Sequence, residues 1–171
     1  MIEVVKNNHN INDSEINETV IRVKALIINS NGSILLGHSH CEYQFPGGHV
    51  LENEGLLYAL KRELKEETGL DYKVLNLKPF MVLKHYIKDF PKDGENTKNV
   101  IYYYIIKDDR IPNLKETNYT DEELDGNYVL RYIPLDIVSD VIVENANNNG
   151  DVAGIVPEML EVFEHYFRNN V

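Results

Sequence analysis

Residues 47–70, GGHVLENEGLLYALKRELKEETGL, restrict the fold more than any other stretch of the chain. Two glycines open it, the remainder has helical periodicity, and Gly69 stands where a C-terminal cap belongs. At about 100° per residue, with Leu56 at zero, Leu56, Leu60, Leu64 and Leu57 span roughly 0–100°, a stripe wide enough to face a core. Lys61, Lys65 and Tyr58 fall opposite, at roughly 140–200°, on the side given to water. Glu66, Glu63 and Glu67 fall at roughly 280°, 340° and 20°, along the border of the leucines. The rest of the chain must therefore cover the leucines and also accommodate three carboxylates at i, i+3 and i+4.

Like charges at that spacing repel by a few tenths of a kcal/mol per pair on an exposed helix, and by more as water is withdrawn. A solvated acidic face is the commonest meaning of such a run, yet here the lysines take the water-facing side. A hard divalent cation removes the repulsion, because Mg²⁺ takes oxygen ligands and typically needs one or two carboxylates besides substrate phosphates. Arg62 offers a second way to neutralise one of the three.

The flanking sequence supplies a sheet. Apolar runs around NSNGS predict strands near 20–28 and 33–38 joined by an Asn-Gly turn. Strand-like runs at 72–87 and 98–108 flank the loop KDFPKDGENTK, and GNYVLRYI reads as a further short strand. A helix is expected from about 135, and a clearer one at 157–169 with Val156, Met159, Leu160, Phe163 and Phe167 on one side. Asn-rich patches at 7–18 and 145–149 read as polar loops, and residues 1–19 as a polar extension. Strands outnumber helices without a regular β-α-β order, so the fold class is α+β, a mixed sheet with helices packed on it.

A chain of 171 residues with 43% hydrophobic and 26% charged residues suits one domain spanning 1–171. No apolar run is long enough for a transmembrane helix, and the N-terminus lacks the pattern of an export signal. The single cysteine, Cys41, permits no internal disulfide and fits a reducing cytoplasm. A formal net charge of −11 disfavours non-specific nucleic-acid or anionic-membrane binding and suits divalent cations. His38, His40 and Cys41 in HSHCEY match no structural zinc spacing, and Cys41 has no catalytic arrangement around it. The sequence also lacks a Walker-type glycine loop and a dinucleotide fingerprint.

Gly48, Glu54, Arg62, Glu63, Leu64, Glu66, Glu67, Gly69 and Leu70 together reproduce the whole signature of the Nudix hydrolases, which this chain resembles. Seven fixed identities at about 5–10% usage each make a chance match on the order of 10⁻⁷ per starting point. The resemblance implies an α/β/α sandwich in which this box forms loop, helix and loop against a mixed sheet. It further implies Mg²⁺-dependent hydrolysis of a nucleoside diphosphate linked to another group, with Mn²⁺ as a substitute ion. Glu63, Glu66 and Glu67 would hold the metal, with the carbonyl of Gly47 or Gly48 as a further ligand. Arg62 would orient Glu63, Glu54 would support the loop, and Gly48 would permit a turn that a side chain obstructs. The general base would be a box glutamate or one from a later loop, where Glu116, Glu122 and Glu123 stand in KETNYTDEELDGNY.

The substrate is a small nucleotide under this resemblance, and homodimers occur in the family. Tyr86 lies sixteen residues after Leu70, where a tyrosine in the resembled family points toward dinucleoside polyphosphates. Nucleoside triphosphates and nucleotide sugars remain open. Tyr102 and Tyr104, alternating with Tyr103, could each offer a ring on which a base stacks, although strand aromatics are most often core. A nucleotide sensor that keeps the fold without catalysis is the reading from another class. The intact box speaks for the enzyme, because a pure binder needs no such set of carboxylates beside Arg62.

Overall fold

The turn between the first two long strands is built by its own polar residues. Asn29 Oδ1 accepts the amides of Asn31 at 3.1 Å and Ser33 at 2.9 Å, and Gly32 takes a φ of +74°. Strand β2 (Glu18–Ile28) thereby returns as β3 (Ser33–Ser39), antiparallel, with Ile28 opposite Ile34 and Ile27 opposite Leu35. The computed structural model describes residues 1–151 and 154–169. Its other strands are β1 (Ile2–Lys6), β4 (Glu42–Gln44), β5 (Met81–Ile87), β6 (Thr97–Lys107) and β7 (Val129–Pro134). The helices are α1 (Leu56–Thr68), α2 (Asp121–Asp125), α3 (Val138–Asn149) and α4 (Val156–Asn169), with a 3₁₀ turn at Asp13–Glu15. Among the described residues the strands form one mixed sheet ordered β1-β5-β6-β2-β3-β4, with β7 on β3. The fold is α+β, as the order of strands and helices predicts.

The chain forms two compact units, and their boundary passes through β2, β6 and α1. The first comprises Met1–Ala25, Gly47–Leu64 and Asp71–Ile105. In it β5 pairs antiparallel with β6 and parallel with β1. Val23, Leu60, Leu64, Met81, Leu83 and Tyr103 form its interior, all at 0% exposure. Strand β1 lies in the segment expected to be a polar extension. Five residues alternating half-buried and exposed are too short a pattern to stand out beside the asparagines that follow. The expected strand over 72–87 is confined to Met81–Ile87. Tyr72 and Val74 are buried, but the Val74 amide bonds the Tyr72 carbonyl and Leu77 bonds Val74, so local turns replace a ladder. Pro79, lacking an amide hydrogen, precedes the strand that does form.

The second unit comprises Leu26–Pro46, Lys65–Leu70 and Ile106–Val171. Strand β3 pairs antiparallel with β4 and, from Ser33↔Pro134 to His38↔Val129, with β7. Helix α4 presents Met159, Val162, Phe163 and Tyr166 to the interior, which rotates the expected stripe: Leu160 and Phe167 are its half-buried flanks. The ring of Phe45, 5.2 Å from that of Phe163, fixes the facing side, and the buried Tyr166 keeps its hydroxyl satisfied by the Lys107 ammonium at 3.1 Å.

Helix α1 follows most of the angular pattern read from its sequence, although Leu56, Leu57 and Lys65 are all half-buried. Ala59, Leu60 and Leu64 are buried, Tyr58 and Lys61 are exposed, and Glu67 is 3% exposed. Its last turn closes when the Gly69 amide bonds the Lys65 carbonyl at 2.9 Å, with Gly69 at φ +70°.

Candidate active site

In the first unit the site is organised around one guanidinium. Arg62 donates Nε to Glu54 Oε1 at 2.9 Å, Nη2 to Glu54 Oε2 at 2.8 Å and Nη1 to Glu63 Oε1 at 2.7 Å. Nη2 also reaches the His49 carbonyl at 3.0 Å. The planar fork holds Glu54 bidentately and still reaches its sequence neighbour, a geometry lysine cannot supply. Glu54 Oε2 in turn accepts the Leu51 amide at 3.0 Å, so that through Arg62 the loop before α1 is tied to the second turn of the helix. The Arg62 hydrogen bonds draw the Glu54 carboxyl below its ordinary 4.5, and the bonds to Glu54 and then Glu63 push Arg62 further from deprotonation. Glu63 lies against the backbone of Gly48, where a methyl group would collide with its carboxylate. Gly47 has φ +121°, and its carbonyl accepts the ammonium of Lys24 from β2.

The second unit holds the C-terminal part of the box. The hydroxyl of Tyr128 donates to Glu67 Oε2 at 2.9 Å in a buried contact. Burial pushes the Tyr128 phenol well above its usual 10, and the Glu67 charge adds to the effect, so the phenol is a neutral donor. The carbonyls that α1 leaves open are taken by the following loop: Asn118 donates to Glu66 and Asn113 to Thr68, each at 2.8 Å. Lys65 reaches Glu116 at 2.7 Å and the Gly69 carbonyl at 3.0 Å.

The remaining candidates fall elsewhere. Glu123 caps α2, accepting the Thr120 amide at 2.6 Å, while Glu122 is exposed on that helix. Tyr86 donates to Asp13 at 2.9 Å and carries the Lys98 ammonium 4.8 Å above its ring. Tyr104 is 1% exposed, which leaves its ring no open face for a base, whereas Tyr102 is half-buried. His38 packs edge-on against Tyr43, at 4.7 Å between ring centres. Burial, then the Arg131 charge, lowers its pKa. His40 and Cys41 form the β3–β4 turn with φ of 50° and 64°. Two residues that contact the box escaped the sequence reading. Lys24 belongs to an ordinary β pattern, and Tyr128 is distant in sequence from the Glu67 it binds. The trace of Tyr128 in the sequence is Gly37, since a glycine inside a strand marks close approach of another group.

Among the described residues no three His, Cys, Asp or Glu side chains already converge as metal ligands do, and Glu63 is turned to Arg62. The donor chemistry still suits a hard cation: α1 carries the carboxylates, and the Gly47 carbonyl already attracts a positive charge, the Lys24 ammonium standing in for a cation. A surface depression of about 630 Å³ at the β2–β3 turn, lined by Ser30, Gly32, Lys107 and Asp109 among others, contains no box residue. The candidate site is therefore the box and not that depression.

Comparison with known proteins bears on the family and the fold. Over 64 residues the chain is 42% identical to the 8-oxo-dGTP diphosphatase of Buchnera aphidicola subsp. Schizaphis graminum, a match covering 37% of this chain. It spans 41% of that relative's length. A MutT protein from Bacillus halodurans superposes with a TM-score of 0.54 at 20% identity, over 71% of this chain and 72% of that one. A MutT NUDIX hydrolase from Burkholderia pseudomallei gives 0.52 at 22% identity, over 69% and 84% respectively. At those identities the two structures speak to the fold. The NUDIX domain family matches residues 18–150, a range that contains the whole box and most of the sheet, and the chain belongs to that family.

Proposed function

We propose that the chain hydrolyses a nucleoside triphosphate, releasing the monophosphate and pyrophosphate, with Mg²⁺ as the ion and Mn²⁺ as its substitute. Glu63, Glu66, Glu67 and the carbonyl of Gly47 or Gly48 are the residues that would hold it. When bound, such an ion neutralises phosphate oxygens and lowers the pKa of a water. The chain's own residues set the stage. Arg62 fixes Glu63, Glu54 ties the loop to the helix, and Gly48 leaves the space in which the Glu63 carboxylate lies. We assign proton removal to a box glutamate, because Glu116 is engaged by Lys65 and Glu123 by its helix cap.

The observation that carries this reading is the three-bond clamp of Arg62 on Glu54 and Glu63 within an intact box. The Buchnera relative, named for 8-oxo-dGTP, supports a nucleoside triphosphate and puts oxidised purines first among those to try. The dinucleoside polyphosphate suggested by Tyr86 loses support, since that side chain is committed to Asp13 and Lys98. Pyrophosphate release from ordinary and oxidised nucleoside triphosphates with Mg²⁺ is the test, repeated with Glu67→Gln. The expected loss in the variant is on the order of 10²-fold or more, since even partners of metal ligands are worth 10–100-fold. Full activity of Glu67→Gln would overturn the metal assignment, and inactivity on every substrate would favour a sensor.

A further inference from the structure

Tyr128 comes from outside the box, immediately before β7, yet it reaches the most enclosed of the box carboxylates. Glu67 is 3% exposed and Tyr128 6% exposed, and their hydrogen bond of 2.9 Å is buried. The contact is prepared from three sides. Gly37 in β3 lacks the methyl that would collide with the phenol oxygen. The Tyr119 ring lies 5.1 Å from that of Tyr128, centre to centre. The short helix α2 ends where Tyr128 begins its approach, with the Tyr128 amide bonded to the Glu123 carbonyl at 2.9 Å. A ring so confined presents its hydroxyl in one place. A carboxylate that accepts a bond from that hydroxyl has the bonded oxygen held in place, which restricts where its other oxygen can turn.

We propose that Tyr128 is a positioning residue for Glu67, fixing the orientation that this carboxylate presents to the divalent cation. The inference rests on the metal role given to Glu67 above. A purely structural phenol would satisfy a buried carboxylate and nothing more, so its loss would lower stability while leaving ion affinity alone.

Mn²⁺ binding, read from the electron paramagnetic resonance signal of the free ion, separates the two roles without any turnover. Tyr128→Phe, which keeps the ring and removes the donor, is expected to weaken Mn²⁺ binding about 10-fold. Gly37→Ala, which leaves both partner side chains in place but sets a methyl against the phenol oxygen, is expected to weaken it in the same direction. In a Glu67→Gln background Tyr128→Phe is expected to add less than about 2-fold, because the residue through which it acts is already lost. Wild-type affinity in folded Tyr128→Phe overturns the proposal, as does an equal loss in the Glu67→Gln background. If Tyr128→Phe does not fold, wild-type affinity in Gly37→Ala overturns it instead. Glu67→Gln itself binding Mn²⁺ like the wild type would remove the metal role of Glu67, and this proposal with it. Weakening by Glu67→Gln alone would leave the metal role standing and refute only Tyr128.

Discussion

At Arg62 a single side chain makes three charge-assisted bonds to two carboxylates, each at 2.9 Å or less. Lysine keeps the charge but not the fork, so Arg62→Lys is expected to lower kcat/KM about 10–100-fold with little change in overall fold, as steady-state kinetics and circular dichroism would show. The partner of the fork also gives a dependence on pH. Because the folded Glu54 carboxyl titrates below its ordinary 4.5, its contribution to stability is complete above that value and is lost as pH falls through the lower, folded value. Glu54→Gln is therefore expected to be about 1–2 kcal/mol less stable than the wild type near neutrality. That deficit should shrink below pH 4.5 in thermal melts taken across the acid range. Arg62 and its two carboxylates were legible as residue types at fixed spacing. Lys24 and Tyr128 were not, because neither spacing nor periodicity records which strand delivers a side chain to a distant helix.

Helix α1 shows how far local pattern reaches. Its buried leucines, its exposed lysine and tyrosine and the enclosed Glu67 follow from 3.6-residue periodicity alone, and its end follows from a glycine. That end is also anchored, since a methyl on Gly69 would run into the carbonyl of Asn113 while its φ is +70°. Gly69→Ala is accordingly expected to lower stability by about 1–3 kcal/mol in chemical denaturation, more than glycine's propensity alone would suggest. A substitution at exposed Lys61 should stay within about 0.5 kcal/mol. Helix α4 marks the limit of the same reading. Period 3.6 found the helix but misassigned part of its inner face, because rings and aliphatic side chains cover nearly half of its circumference and Phe45 packs against the Phe163 side. Tyr72 and Val74 repeat the lesson for strands: alternation reports which side chains are buried, and only partners across a ladder make a strand.

For the whole molecule the class and the box were legible in the order of residues, while the edge of the sheet stayed hidden. Strand β1 lies before the family match of 18–150, pairs parallel with β5 and adds an ion pair from Glu3 to Lys84 at 2.9 Å. Removing Met1–Lys6 should leave the box geometry intact and raise amide exchange along Met81–Ile87, a result hydrogen-exchange mass spectrometry would read. Unchanged protection there would show that β1 contributes nothing to the edge. The register of β1 also bears on the time course of folding. Ile2 has no ladder partner until Met81 has been synthesised, and Ser33 waits for Pro134. A sheet assembled from such separated segments closes long loops before its contacts can reward it, so refolding belongs to the slow, non-local regime of milliseconds to seconds. During synthesis on the ribosome, then, β1 is among the strands that must wait longest for a neighbour.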